Sequence, residues 1–415
     1  MEGVTARGGP AADPRLPWLA RPQARSWRCG TSGAVLSGEV GSYHASLPGY
    51  APTPLTEAPA LAAELGMARV YVKDESSRLG LPAFKVLGAS WAVRQVLAVS
   101  PADEHDSATP PDGLAALRAA AARRPGLVFA TATDGNHGRA VARMARWCGA
   151  PARVFVPAVT EPATRAAIAS EGAEVIQVTG SYDEAVATAR QWARDHPRAA
   201  LVQDTAWPGY EQVPGWIVEG YSTLFAELDA QLAAAGAGPP ALVAVPVGVG
   251  SLAQAAVGHY RAADAADRRQ VTAGGWPGRG QNSAPRQPSS ATAVLSVEPD
   301  TAACLLASLR AGAPVTVPSA NTIMAGLNCG TISSIAWPYL SQGLDAAIAV
   351  TDEAARRAAA DLAAAGISSG PSGAASLAGA RAALTGTGSS DRRAALAVGP
   401  GSVIVLLSTE AGAAG

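Results

Sequence analysis

The chain has 415 residues, 48% of them hydrophobic, with 32 basic and 33 acidic side chains and a formal net charge of −1. This is enough chain for roughly two to three domains with sizeable cores. A near-zero charge lacks the basic footprint that nucleic acid or an anionic membrane surface requires, which leaves a small-molecule partner as the favoured reading.

Met1 to Trp27 is rich in Arg, Pro and Ala without an apolar core run, so it does not read as a signal peptide, and residues 1–42 are expected to form a flexible lead-in. Short β-branched or apolar runs then alternate with Ala-rich stretches. The runs at 70–72, 127–130, 152–156, 174–178, 242–245, 294–297 and 402–407 read as buried strands, and the stretches at 139–148, 161–171, 182–195, 215–235, 352–365 and 372–384 as helices. Strands alternating with helices predict an α/β fold of two domains, with mostly parallel twisted sheets flanked by helices. The polar, Pro-rich stretch 100–113 reads as a long loop, and Gly- and Pro-rich 268–290 as a disordered insertion. Ala230 to Tyr260 has no charged residue, yet Pro239, Pro240, Pro246, Gly248 and Gly250 interrupt it, so strand, loop and buried helix fit it better than a membrane span.

Four cysteines, Cys29, Cys148, Cys304 and Cys329, are too dispersed for a disulfide scaffold or a zinc site, and none of the five histidines pairs with another at metal-ligand spacing. No metal and a reducing cytoplasm are expected.

Three segments carry chemistry. Lys85, in Pro82-Ala83-Phe84-Lys85-Val86-Leu87-Gly88-Ala89, is one amine in an uncharged stretch before a helix-like segment. Apolar neighbours disfavour an ammonium and make such a lysine a usable nucleophile, although lysines in this setting also snorkel. The second segment, Thr131-Ala132-Thr133-Asp134-Gly135-Asn136-His137-Gly138-Arg139, leaves a strand and feeds a helix, where α/β folds bind ligands. By itself it also describes an ordinary loop with a capping Thr or Asp. In the third, Val245-Pro246-Val247-Gly248-Val249-Gly250-Ser251-Leu252-Ala253, a strand runs into glycines and a helix N-terminus, a pattern that cradles phosphate. It lacks both the Walker lysine and the full dinucleotide fingerprint.

Taken in this order, the three segments resemble the fold-type II pyridoxal-phosphate enzymes, the threonine dehydratase and tryptophan synthase β class. The details are most similar to the diaminopropionate ammonia-lyases: Lys73-Asp74-Glu75-Ser76 with Arg78-Leu79-Gly80-Leu81, Ala-Thr-Asp-Gly-Asn-His-Gly-Arg at 132–139, Asp204-Thr205-Ala206-Trp207, Gly209-Tyr210-Glu211, Val297-Glu298-Pro299, Thr322 to Leu327, and Leu407-Ser408-Thr409-Glu410. The resemblance implies a pyridoxal 5′-phosphate enzyme, a homodimer, that performs α,β-elimination on 2,3-diaminopropionate to give pyruvate and ammonia.

By that resemblance Lys85 joins the cofactor as a Schiff base and later moves protons at Cα. Gly248, Val249, Gly250, Ser251 and Leu252 hold the phosphate, Asn136 meets the phenolic oxygen, and Ser408 meets the ring nitrogen. Asp134 is expected to serve as a second base for one enantiomer. Asp204 is expected to bind the β-amino group and deliver a proton to it, with a helix cap as its bland alternative. Thr133, Gly135 and His137 are expected around the substrate, His137 mainly as a structural residue. The implied domains are a larger one from 43–85 and 203–415 and a smaller one from 86–202 inserted in it.

Two departures bear on these expectations: Leu87 replaces an arginine common in the dehydratases, and Pro371 stands where the lyases are expected to have Glu. Cys304 and Cys329 either pair as a disulfide or remain two separate buried thiols. The rival functions are a serine or threonine dehydratase, a β-replacement synthase and, in another class, a catalytically silent ligand-binding protein.

Overall fold

The computed structural model describes residues 17–29, 38–99, 111–262, 292–318 and 320–412. The expected insertion at 268–290, most of the 100–113 loop, and residues 1–16 and 30–37 of the expected lead-in lie outside them.

Eleven strands are present among the described residues: β1 (Trp18–Ala20), β2 (Leu55–Glu57), β3 (Arg69–Asp74), β4 (Val128–Ala132), β5 (Ala152–Pro157), β6 (Ala173–Val178), β7 (Ala199–Leu201), β8 (Leu242–Pro246), β9 (Ala293–Pro299), β10 (Ala346–Val350) and β11 (Val403–Ser408). A seven-stranded sheet runs β1-β10-β9-β8-β11-β3-β2, and a four-stranded sheet runs β6-β5-β4-β7. All pairings are parallel except those of the two edge strands, β1 with β10 and β2 with β3. The α/β class with mostly parallel sheets is therefore present, and the central strands β8, β9 and β10 are buried along their whole length, as parallel strands covered on both faces must be.

Residues 17–29 differ from the flexible lead-in expected of them. Trp18 pairs with Ile348 on the edge of the larger sheet, and Arg25 reaches the buried Asp345 at 3.0 Å, an aspartate that also bonds Arg261. The expected helix 215–235 is two helices, Gln212–Gly220 and Ser222–Ala234, meeting at Tyr221. Their break accompanies a close crossing with the helix Lys85–Ala98. A Cβ on Gly220 would lie 2.5 Å from the Leu87 carbonyl oxygen, and one on Gly88 would lie 2.8 Å from that of Ile217. Only glycine at both positions lets the two backbones approach this closely.

A second constraint holds the approach to Lys85. Lys73 binds Glu227 at 2.7 Å, while Arg78 binds Glu75 and Glu227 at 2.6 Å each, and all four side chains are fully buried. Two cations and two carboxylates cancel, and Thr53 and Tyr50 bond the carboxylates' remaining lone pairs, so the charges are compensated as burial demands. Just beyond, Arg78 and Leu81 exchange backbone hydrogen bonds across Leu79 and Gly80, and the chain turns into the segment that ends at Lys85. No helix among the described residues is long and apolar enough to cross a membrane. Ala230 to Tyr260 resolves into the end of one helix, strand β8, a glycine turn and the helix Ser251–Tyr260.

Candidate active site

The carboxyl ends of strands from both sheets face one cleft of about 510 Å³. β4 delivers residues 134–137 to it, β7 leads to Asp204, β8 leads to the 247–252 turn and β11 leads to Thr409 and Glu410. Ligands in parallel α/β folds bind at this end of the strands because the turns there expose backbone N–H groups and helix N-termini.

Lys85 opens the helix Lys85–Ala98 and points its amine at Asp204, with Nζ and Oδ2 separated by 2.6 Å. Burial opposes a charge on Lys85, but Asp204 outweighs it and holds the amine above the usual lysine range. Burial also opposes the Asp204 charge, and Lys85 in turn pulls that carboxyl below the usual carboxylate range. Asp204 is thus firmly ionised. Its other oxygen accepts from the Tyr182 hydroxyl at 3.2 Å and from Gln203 Nε2 at 3.2 Å. Gln203 in turn bonds Tyr182 and, through its carbonyl, Thr131 and the backbone of Ala132. No helix starts at Asp204, so it caps none: the chain first makes a tight turn closed by Trp207 and Tyr210 and only then enters the helix Gln212–Gly220.

The Asp134 loop is shaped from within. Thr133 is buried, and its hydroxyl accepts the backbone N–H groups of Gly135 and Gly138, so it organises the loop behind the cleft wall. Gly135 and His137 line the cleft; Thr133 does not. Burial raises the Asp134 carboxyl to about 7, Asp204 and Glu410 adding like charge against the pull of Lys85. His137 Nε2 lies 2.8 Å from the Val202 carbonyl, which can only accept, so Nε2 carries the proton. Its Nδ1 is then a buried acceptor, 3.9 Å from Asp204, without a hydrogen-bond partner among the described residues. Burial lowers the imidazole pKa, and the ring is neutral.

Across the cleft, β8 runs through Gly248 and Gly250 into the helix Ser251–Tyr260, and all of 248–252 line the cavity. A Cβ on Gly248 would meet the Gly326 carbonyl oxygen at 2.9 Å, and Gly250 has φ of +96°, so side chains are excluded from the turn by contact and by conformation. Ser251 donates to the Asp204 carbonyl at 2.8 Å and ties this turn to the backbone of Asp204.

Ser408 ends β11 fully buried, donating to Ser369 Oγ at 2.8 Å behind the wall, whereas Thr409 and Glu410 line the cavity. Glu410 accepts from Asn136 Nδ2 at 2.7 Å and from the Ser372 backbone at 3.1 Å. Pro371 is the first residue of the helix Pro371–Leu384, where its missing N–H costs nothing. Cys148, Cys304 and Cys329 are free, buried thiols, so Cys304 and Cys329 do not pair as a disulfide, and Cys29 is buried with its thiol against the Gly258 and Arg261 carbonyls. Among the described residues no cluster of three or more His, Cys, Asp or Glu is arranged to hold a metal.

These residues fit pyridoxal phosphate: a primary amine at one end of the cleft, and at the other a turn closed to side chains with a helix N-terminus for an anion. Tyr182, Gln203 and Glu410 were not singled out from the sequence. Only Glu410 carried a signal there, its place at the end of the last strand.

Comparison with known proteins agrees. Residues 47–409 match the family of pyridoxal-phosphate dependent enzymes. The chain is 34% identical to diaminopropionate ammonia-lyase of Salmonella typhimurium over 337 residues, 79% of this chain and 76% of that protein. It is 34% identical to the Escherichia coli K12 enzyme of the same name over 299 residues, 72% of this chain and 67% of that one. The crystal structure of the Escherichia coli lyase in complex with an aminoacrylate-PLP azomethine reaction intermediate superposes with a TM-score of 0.78 at 29% identity, covering 96% of this chain and 94% of that one. The chain belongs to the pyridoxal-phosphate-dependent enzymes and, within them, to the diaminopropionate ammonia-lyase family.

Proposed function

We propose that the protein cleaves 2,3-diaminopropionate by α,β-elimination, with pyridoxal phosphate held by the 248–252 turn and by Lys85. The observation that carries this reading is the pair of carboxylates beside the lysine, Asp204 at 2.6 Å and Asp134 in the same cleft with a pKa raised to about 7. The β-amino group of such a substrate brings a positive charge, and Asp204 offers a carboxylate to receive it while Asp134 remains for Cα.

Bound there, the cofactor supplies an electron sink for the charge that develops at Cα. The chain's own residues do the rest. Lys85 Nζ must be uncharged, no longer the ammonium paired with Asp204, to take the Cα proton of one enantiomer, and Asp134, a carboxyl poised near neutral pH, takes that of the other. Asp204 holds the β-amine as an ammonium. Its depressed pKa suits it to binding more than to delivering a proton, and none is needed, since an ammonium substituent departs as neutral ammonia. Tyr182 and Gln203 orient that carboxylate. Released 2-aminoacrylate takes up water and gives pyruvate and the second ammonia.

A larger domain from 43–85 and 203–415 and a smaller one from 86–202 inserted in it accord with the seven-stranded and four-stranded sheets. A homodimer in the cytoplasm accords with the family resemblance, and the free thiols of Cys148, Cys304 and Cys329 accord with a reducing compartment.

The test is release of pyruvate and ammonia by the purified holoenzyme across both enantiomers of diaminopropionate, serine and threonine. Two ammonia per pyruvate, with kcat/KM highest on diaminopropionate, is the expected result. Preference for serine or threonine would make the protein a dehydratase. No turnover of any of them would leave the silent binding protein.

A further inference from the structure

The mechanism above gives no task to Glu410, although its side chain lines the same cleft. Its backbone is pinned on both sides: Ala411 N bonds the Pro82 carbonyl at 2.8 Å, within the segment that leads to Lys85, and the Glu410 carbonyl accepts from Gly370 at 3.0 Å. One carboxylate oxygen accepts from the Ser372 backbone at the N-terminus of the helix Pro371–Leu384, at 3.1 Å. The other accepts from Asn136 Nδ2 at 2.7 Å, at the N-terminus of the helix Asn136–Cys148. Asn136 follows β4 of the smaller sheet and Glu410 follows β11 of the larger, so this bond spans the cleft.

An ionised carboxylate can only accept, so it fixes which end of a carboxamide faces it. With Oε2 taking one N–H of Asn136, the amide nitrogen keeps a second N–H for another acceptor, and the carbonyl is turned away. A protonated or missing partner would let the amide rotate and present its carbonyl instead. We propose that Glu410 is a positioning residue that sets the Asn136 carboxamide as a donor and thereby tunes how tightly pyridoxal phosphate is held. This rests on the reading of Asn136 as the partner of the cofactor's phenolic oxygen. Burial raises the Glu410 pKa, with Ser372 and Asn136 opposing, which makes its hydrogen-bond donors necessary for its charge.

A double-mutant cycle tests the assignment. Apo protein is titrated with pyridoxal phosphate for wild type, Glu410→Ala, Asn136→Ala and the double variant, the visible absorption of each holoenzyme is recorded from pH 6 to 9, and the thermal midpoint of each apo protein is compared. Each single variant is expected to lose about 10-fold in cofactor affinity, the scale of one charge-assisted hydrogen bond, and to shift the visible band in the same direction. The double variant is expected to lose little more than either. Glu410→Gln keeps the size but, like a protonated carboxyl, can donate as well as accept, so it is expected to lose affinity and shift the visible band in the same direction as Glu410→Ala, and it serves as the reading should Glu410→Ala fail to fold. Independent losses that multiply, or a Glu410→Gln variant with wild-type affinity and spectrum, overturn the inference alone. A wild-type protein that takes up no cofactor overturns the functional reading beneath it as well.

Discussion

Lys85 Nζ and the Asp204 carboxylate meet at 2.6 Å, although 119 residues separate them in the chain. One opens a helix locked by a glycine crossing, and the other follows a strand of the smaller sheet, so the contact depends on both sheets being in place. The pair shares its charge: each holds the other ionised against burial.

Replacing Asp204 with Asn removes the charge that receives the substrate's β-ammonium. The expected loss in kcat/KM on diaminopropionate is about 100-fold or more, with a smaller loss on serine, whose β-substituent is neutral. A parallel substrate panel checks this, and undiminished diaminopropionate cleavage rejects the assignment.

For Asp134 the expectation is enantiomer-specific. Asp134→Asn should cut turnover of the D isomer by ~10²–10⁴-fold and spare the L isomer. A base must be deprotonated to act, so wild-type activity on the D isomer should rise with pH through about 7, and that limb should be missing with the L isomer. Equal losses for the two isomers contradict the role.

The same carboxyl makes stability depend on pH. Its folded-state pKa of about 7 lies above the ordinary 3.8, so the folded state binds the proton more tightly. Its contribution is fully present below about 4 and is lost as pH rises through about 7. Asp134→Asn escapes this loss. In urea unfolding of the apo protein, the variant's advantage over wild type should be larger at pH 8 than at pH 5.

Arg78→Met leaves Glu75 and Glu227 buried with only Lys73 to compensate them. Breaking a buried network by removing one partner costs about 3–5 kcal/mol. The urea midpoint should fall accordingly; a change under about 1 kcal/mol would mean that water reaches the cluster.

Gly220→Ala puts a methyl 2.5 Å from a backbone oxygen, which has no rotamer to escape into. The expected cost is about 1–3 kcal/mol, as for other overpacked sites. Gly215, in the same helix, has nothing within 4 Å of its Cβ direction, so Gly215→Ala should be neutral or stabilising by up to about 1 kcal/mol. Thermal unfolding of the two variants side by side makes the comparison.

Much of the frame was legible in the residues. Seven strands and the helix at 182–195 announce themselves through apolar runs and amphipathic spacing, and the three chemistry-bearing segments sit where strands become helices. β10 was missed because its Ala346-Ala347-Ile348-Ala349-Val350 run is as compatible with a helix as with a strand. β1 and β2 are three-residue edge strands whose state is set by a neighbour, not by their own pattern. The break at Tyr221 answers to Gly88, more than a hundred residues away, and no local periodicity reports it. Within the site, the Ser408 hydroxyl at the end of β11 lies against Ser369 Oγ, a partner that no local pattern reports. Tyr182 was hidden because a tyrosine at the start of a helix carries no sign of the carboxylate it will meet across the fold.

The side chains proposed to react all arise at or just beyond the carboxyl ends of strands or at the first turn of a helix, while the buried ionic cluster and the glycine crossing lie behind them. Chemistry and rigidity are thereby housed in different residues. On the proposed roles, exchanging Asp134 would alter which enantiomer is deprotonated and exchanging Asp204 would alter which β-substituent is expelled, without reopening the core that keeps the lysine aimed.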